Sequence, residues 1–161
     1  MSDTHDRLRL IDQAVERLNE ENVELVLHAG DFVVPFVVSH FKKLKSPLIG
    51  VFGNNDGDRK LLKKKFAEIG ADIRGEFAFV VVDGLRIGLL HGDQTELMRS
   101  FLELESYDVL VCGHTHVEKT YRKRRMLIIN PGAVCGYLSE KATMVLFDTE
   151  TLITRKIELI L

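Results

Sequence analysis

Seven side chains that could bind a divalent metal ion occur in five short motifs along this chain of 161 residues. Imidazole nitrogen combined with carboxylate and amide oxygen suits borderline ions such as Mn²⁺, Fe²⁺, Zn²⁺ or Ni²⁺. No cysteine belongs to any of the motifs, which argues against a soft-metal site. The candidate ligands are Asp3, His5, Asp31, Asn54, His91, His114 and His116.

The motifs share one placement, because all except the first follow a short apolar run that reads as a β-strand. In open α/β sheets the loops at the carboxyl ends of the strands converge on one crevice, so ligands far apart in sequence can meet there. In the spacings D-x-H and H-x-H, the two side chains of an extended segment point the same way. The predicted strands before the later four motifs cover residues 25–27, 48–52, 85–90 and 109–112.

The rest of the chain supplies elements that can hold such a crevice. Apolar residues at helical spacing predict amphipathic helices, and Asp83-Gly84 predicts a tight hairpin turn. Early strands alternate with helices and later ones pair as hairpins, which favours two mixed β-sheets with helices outside. We therefore predict a four-layer α/β/β/α sandwich forming a single domain over residues 1–161. The predicted helices cover 7–22, 58–69 and 94–104, and the predicted hairpins 77–90, 117–129 and 143–159.

Composition excludes several classes of protein. A formal net charge of -2 gives no overall attraction to nucleic acid or anionic lipid. No apolar run approaches the roughly 18 residues of a membrane span, and residues 1–6 lack the apolar region of a signal peptide. Cys112 and Cys135 are far apart and form no redox or zinc motif, so we expect buried free thiols in a cytoplasmic protein.

The five motifs together resemble the signature of the calcineurin-like metallophosphoesterases, D-x-H, G-D, G-N-[HCN]-D, a single H and G-H-[TS]-H. The resemblance continues through Asn130-Pro131-Gly132, and the short length is similar to the YfcE-type prokaryotic phosphodiesterases. In this chain the motifs read Asp3-Thr4-His5, Gly30-Asp31, Gly53-Asn54-Asn55-Asp56, His91 and Gly113-His114-Thr115-His116.

The resemblance implies a dinuclear metal centre, most simply of Mn²⁺, with Ni²⁺, Fe²⁺ and Zn²⁺ as alternatives. One ion would be held by Asp3, His5, Asp31 and His116, and the other by Asp31, Asn54, His91 and His114. A hydroxide activated by both ions would then hydrolyse a small phosphodiester directly. Asp31, Asn54 and His91 are the expected catalytic residues, and Asn55 and Asp56 the supporting ones. The alternatives are a phosphomonoesterase and an interaction scaffold of the same fold, such as the related retromer subunit.

The chain departs from the family pattern at two places. Family members have a short apolar strand before D-x-H, whereas only Met1-Ser2 stand here, so we expect Asp3 and His5 on a frayed terminus and favour a start codon further upstream. Asn55 replaces the histidine with which many relatives protonate the leaving group. An amide cannot supply that proton, so we expect a narrower range of substrates.

Other polar residues are assigned to structure rather than chemistry. His28 and His40 are expected to be structural histidines, and Asp56 is expected to shape the Gly53 loop or to orient a ligand. The basic residues at 119 and 122–125 are interpreted as a solvated hairpin tip, with binding of substrate or nucleic-acid phosphate as the minority interpretation. A homo-oligomer is compatible with the sequence.

Overall fold

Two β-sheets lie at the centre of the computed structural model, which describes residues 1–161. The first sheet contains three parallel strands in the order β1-β2-β3, and the second contains five strands in the order β4-β5-β6-β8-β7. An antiparallel hairpin, β9–β10, completes the strands. Their bounds are β1 Val26–His28, β2 Leu48–Gly50, β3 Asp72–Ile73, β4 Phe77–Val82, β5 Leu85–Leu90, β6 Val109–Val111, β7 Glu118–Lys123, β8 Met126–Pro131, β9 Ala142–Phe147 and β10 Thr154–Leu159.

The two sheets pack face to face because alternate residues of a strand point to opposite faces. Ile87 and Leu89 of β5 pack in the apolar layer between the sheets, whereas Leu90 faces the outer side. Val26 and Leu48 of the first sheet likewise face outward, and Leu27 and Ile49 face the second sheet. Strands that are buried on both faces need continuous apolar runs, which is what the sequence contains.

Helices cover both outer faces and complete four layers. Helix α1 (Leu8–Glu20), a 3-10 helix (Pro35–Lys43) and α2 (Arg59–Glu68) pack on the first sheet, and α3 (Thr95–Leu104) packs on the second. The predicted α/β/β/α sandwich is therefore confirmed. The sequence did not indicate β3, a two-residue strand held by its pairing with β2. None of the helices has the length and hydrophobicity needed to cross a lipid bilayer.

The first residues of the chain are hydrogen-bonded on both sides. The Met1 ammonium donates to Leu27 O at 2.9 Å, and Ala29 N donates to Met1 O at 3.0 Å. On the other side, Val134 N donates to Ser2 O at 3.1 Å and Cys135 N to Asp3 O at 2.9 Å. The expected fraying of Asp3 and His5 is therefore wrong, since backbone bonds fix the segment between the first sheet and residues 133–135. Burial lowers the pKa of the Met1 ammonium to about 5.

Candidate metal centre

Loops at the carboxyl ends of β1, β2, β5 and β6 meet in one place and bring the candidate ligands together. Close approach of these loops requires glycine at two positions. A Cβ atom on Gly53 would collide with the Asp31 carboxylate, and one on Gly30 would lie 2.7 Å from Gly53 N. Gly30 also has a φ of +97°, which a residue with a side chain rarely adopts. The glycines before Asp31 and Asn54 are therefore needed for the loops to touch.

Four of the predicted ligands form the first donor group, Asp3, His5, Asp31 and His116. His116 Nε2 lies 3.3 Å from Asp3 Oδ1, and His5 Nε2 lies 3.6 Å from Asp31 Oδ2. The imidazole rings of His5 and His116 meet edge to face with centroids 5.5 Å apart. The donor atoms of Asp3, Asp31 and His91 lie within 4.8 Å of one another, and so do those of His5, His116 and Cys135, so residues far apart in sequence are brought together.

The second donor group consists of Asp31, Asn54, His91 and His114. His91 Nε2 lies 3.4 Å from Asp31 Oδ2 and 3.0 Å from Asn54 Oδ1. The His114 ring packs on the His91 ring with centroids 5.1 Å apart. Asp31 Oδ2 is thus the atom that lies next to a histidine of each group, so Asp31 belongs to both.

Two buried atoms of the first donor group have no hydrogen-bond partner, Asp3 Oδ1 and His5 Nε2. Such atoms are rare in folded proteins, because leaving a buried polar atom unpaired costs about 1–3 kcal/mol. Both atoms are good ligands for divalent ions, and the neighbouring donors have compatible chemistry. The residues present therefore fit a metal ion at this position.

Backbone strain is concentrated at the ligands. Five of the seven candidate ligands have a positive φ, from 44° at His5 to 67° at His114. Left-handed conformations are uncommon for residues other than glycine, and they cluster at functional sites. Our expectation that D-x-H and H-x-H are extended segments is wrong, because both ligands of each motif lie in the left-handed region. The five ligands with positive φ are Asp3, His5, Asp31, His114 and His116.

The charge of Asp31 is stabilised by its surroundings. Burial opposes ionisation, but hydrogen bonds from His91 and Asn55 outweigh it and hold the pKa of the Asp31 carboxyl well below its usual range. Burial also opposes protonation of His91, yet the adjacent Asp31 raises the pKa of His91 to about 9. The same negative charge of Asp31 that raises the pKa of His91 would also attract a metal cation.

Asn55 and Asp56 support the ligand loops. Asn55 donates to both Asp31 oxygens, from its backbone N at 2.9 Å and from Nδ2 at 2.7 Å. The buried Asp56 accepts four backbone N–H groups, from Gly53 and from residues 31–33, at 2.7–3.1 Å. Asp56 thereby ties the Gly53 loop to the Asp31 loop, which agrees with its expected structural part. Burial raises the pKa of Asp56.

His28 and His40 lie outside both donor groups, as predicted. His28 is fully buried and stacks on Phe32 at 3.9 Å. Its Nδ1 accepts from Gly30 N, so Nε2 carries the proton and donates to Thr4 Oγ1. Burial lowers the pKa of His28 well below the usual value. His40 pairs with Asp12 at 2.8 Å on the surface.

The tip of the basic hairpin, residues 122–125, is far from the donor groups, whereas Lys119 pairs with Asn130 near the ligand end of β8. Glu118 of β7 pairs with Pro131, near the end of β8 that lies beside the ligands, and Lys123 pairs with Met126 at the other end. At about 3.3 Å per residue, Arg124 is roughly 20 Å from the ligand end of the sheet. It forms an ion pair with Glu105 at 2.6 Å. Binding of the reacting phosphate by this tip is therefore not supported by the geometry.

Two residues near the first donor group were not identified from the sequence. Cys135 Sγ lies 3.9 Å from His116 Nδ1, and the Tyr137 ring lies 5.7 Å from the His5 ring, edge to face. Cys135 is buried with a free thiol, as predicted, and burial raises its pKa to about 11. Neither residue belongs to a spacing pattern in the sequence. Only the fold shows that this segment lies beside the loop that carries Asp3.

Comparisons with known proteins show the family and the fold of the chain. Residues 1–152 match the calcineurin-like phosphoesterase superfamily domain. The phosphodiesterase MJ0936 of Methanocaldococcus jannaschii is 41% identical over 151 residues, which cover 93% of this chain and 91% of that protein. A solved structure described as a novel archaeal phosphodiesterase superposes with a TM-score of 0.94 at 40% identity, covering 99% of this chain and 97% of the other. The phosphoesterase Yfce from E. coli has a TM-score of 0.72 at 20% identity, with coverage of 97% and 95%.

The sandwich and the loops that carry the candidate ligands are those of a metallophosphoesterase. The chain belongs to the calcineurin-like phosphoesterase superfamily, and the family resemblance of its motifs is confirmed.

Proposed function

We propose that this protein is a phosphodiesterase with a dinuclear metal centre, most simply of Mn²⁺, acting on a small phosphodiester. Asp3, His5, Asp31 and His116 would hold one ion, and Asp31, Asn54, His91 and His114 the other. The observation that supports this best is the pair of buried, unpartnered atoms, Asp3 Oδ1 and His5 Nε2. A carboxylate shared by both groups would offset repulsion between two cations.

Two such ions, when bound, supply a nucleophile from water at neutral pH and stabilise charge on the phosphate oxygens. The chain's own residues fix the geometry that this requires. His91 Nδ1 lies 2.8 Å from Ala29 O, to which it can only donate, so Nε2 can serve as the ligand atom in the neutral ring. Asn55 orients the Asp31 carboxylate, and Asp56 holds the two loops that carry Asp31 and Asn54.

Similarity to a phosphodiesterase favours the diester over the monoester, and Asn55 favours substrates with good leaving groups. The relative with 41% identity is named a phosphodiesterase. In addition, the Asn55 side chain donates to Asp31 and has no acidic proton to give to a leaving group. A chain with no positioned general acid at this place should prefer substrates whose departing oxygen needs little protonation.

Metal removal and restoration test the proposal. The purified protein is treated with chelator, dialysed and assayed with bis-(4-nitrophenyl) phosphate and with 4-nitrophenyl phosphate. We expect loss of activity on chelation, recovery with Mn²⁺ and faster hydrolysis of the diester. His40→Ala is a matched control, because His40 is a surface histidine paired with Asp12 away from the donor groups. Activity that survives complete metal removal, or a monoester preference, would contradict the proposal.

A further inference from the structure

Arg7 lies beside the first donor group and has no anionic partner. It immediately precedes α1 and is two residues after His5. Its guanidinium lies 5.1 Å from the centre of the Tyr137 ring, and the same ring meets the His5 ring at 5.7 Å. Arg7 is therefore one aromatic ring away from a proposed metal ligand.

The other arginines near carboxylates are used in ion pairs. Arg59, Arg74 and Arg86, for example, each contact an acidic side chain at 2.6–3.0 Å. Arg7 forms neither an ion pair nor a side-chain hydrogen bond, although it is half-buried. The carboxylate next to it in sequence, Asp6, instead accepts from Tyr137 Oη at 2.8 Å. All the donors of this guanidinium are consequently free for a ligand.

Tyr137 holds the guanidinium in place. A cation over an aromatic face is attracted by the ring quadrupole, and the ring is itself fixed by Asp6 and His5. Preorganisation of this kind lowers the entropy lost when an anion binds. Tyr137 is 48% exposed, so this surface is open to solvent at the edge of the donor groups.

We propose that Arg7, held on Tyr137, is an anion subsite that makes the enzyme favour phosphodiesters carrying a second anionic group close to the scissile phosphate. The inference rests on the proposed function, because it assigns specificity to the same centre. Substrates of this class include nucleotide diesters that bear an additional phosphate on the sugar. Arg7 is a specificity residue and takes no part in bond cleavage.

Two matched substrates test this subsite, the 4-nitrophenyl ester of thymidine 5′-phosphate and the same ester with a 3′-phosphate. The measured quantity is the ratio of kcat/KM for the phosphorylated over the unphosphorylated ester, with Mn²⁺ restored. A charge-assisted hydrogen bond is worth about tenfold or more in binding, so Arg7→Gln should lower this ratio about tenfold, mainly through KM. Arg7→Lys should retain part of the preference.

Arg9→Gln is the control, because Arg9 is an exposed, unpaired arginine on α1 whose loss changes the net charge equally. Tyr137→Leu should lower the ratio more than Tyr137→Phe, since Phe keeps the ring under the guanidinium but loses the hydrogen bond to Asp6. An unchanged ratio in Arg7→Gln, or an equal fall in Arg9→Gln, would overturn the subsite. Failure of the wild type to hydrolyse either ester would contradict the proposed function itself, so the two failures are distinguishable.

Discussion

The two donor groups share Asp31 but differ in how the protein satisfies them. In the second group, His91 is bonded through both ring nitrogens, to Ala29 O and to Asn54 Oδ1. In the first group, Asp3 Oδ1 and His5 Nε2 are buried without a hydrogen bond, and they lie 3.3 Å and 3.6 Å from the nearest side chain of opposite polarity. His91 of the second group is thus held by hydrogen bonds without a metal ion, whereas the first group retains two buried atoms whose cost a cation would remove.

This difference suggests that the two metal ions would affect the stability of the fold differently. An ion at the second group would displace existing bonds, so its net effect on folding stability should be small. An ion at the first group would give partners to atoms that otherwise have none, so it should stabilise the fold. The following predictions test this contrast.

The largest effect is expected at the residue that both groups contain. Asp31→Ala should lower kcat/KM by roughly 10³-fold or more and reduce the metal content at both groups, because it removes a ligand from each. Asp12→Ala is a suitable control, since Asp12 is a surface carboxylate paired with His40. Normal metal content in Asp31→Ala, measured by elemental analysis, would show that Asp31 is not the shared ligand.

Ligands that belong to one group should have a smaller and more local effect. His91→Ala and His114→Ala should each lower activity by about 10²-fold or more and remove the ion of the second group only. His5→Ala should remove the ion of the first group and leave the other. Activity of His91→Ala and His114→Ala within about threefold of the wild type would contradict the ligand assignment, because metal catalysis supplies several kcal/mol.

The thermal stability of metal-free variants should distinguish the two donor groups most directly. His91 is 1% exposed and makes two hydrogen bonds, so His91→Ala should lower the Tm of the metal-free protein by about 5–10 °C. The Nε2 atom of His5 makes no hydrogen bond, so His5→Ala should lower it by less than about 3 °C. Thermal unfolding of both variants after chelation is the measurement. Equal losses would mean that the first group is no less satisfied than the second.

Much of the fold was predictable from local patterns. The hairpin over residues 77–90 was predicted with the bounds that the structure has, because apolar runs on both sides of Asp83-Gly84 leave few alternatives. The grouping of the ligands was also predictable, because five motifs with ligand side chains in order are far more informative than any single histidine. Asp31 was expected to be shared by two metal ions, and its Oδ2 atom lies 3.6 Å from His5 Nε2 and 3.4 Å from His91 Nε2.

What the sequence did not show depends on tertiary contacts. The left-handed backbone at Asp3, His5 and His114 is imposed by neighbouring loops, for which the residue types give no signal. The first residues are held in place by hydrogen bonds to Leu27 and to residues 133–135, which are distant in sequence. The contact between the Tyr137 ring and His5 is also a tertiary contact, and nothing in the sequence indicates it.

The smallest expected effect concerns Asn55, which donates hydrogen bonds to the shared Asp31 carboxylate. Its side chain donates to Asp31 Oδ2 at 2.7 Å, so it supports Asp31, and as an amide it cannot itself protonate the departing oxygen. A general acid typically contributes about 10²–10⁴-fold, mostly for basic leaving groups. The wild type should therefore show a steep dependence of log kcat/KM on leaving-group pKa across a series of aryl and alkyl diesters.

Asn55→His should make this slope shallower, although every rate should also fall by a small factor because the bond to Asp31 is lost. Asn55→Ala separates the two effects, since it removes the same bond without adding an acid, and it should keep the steep slope. The alkyl diester should gain about tenfold in Asn55→His relative to Asn55→Ala, the lower part of what an imperfectly placed acid supplies. A shallow slope in the wild type would mean that another group already protonates the leaving oxygen. In that case Asn55 would act only by supporting the Asp31 carboxylate, and its replacement of a histidine would not limit the range of leaving groups.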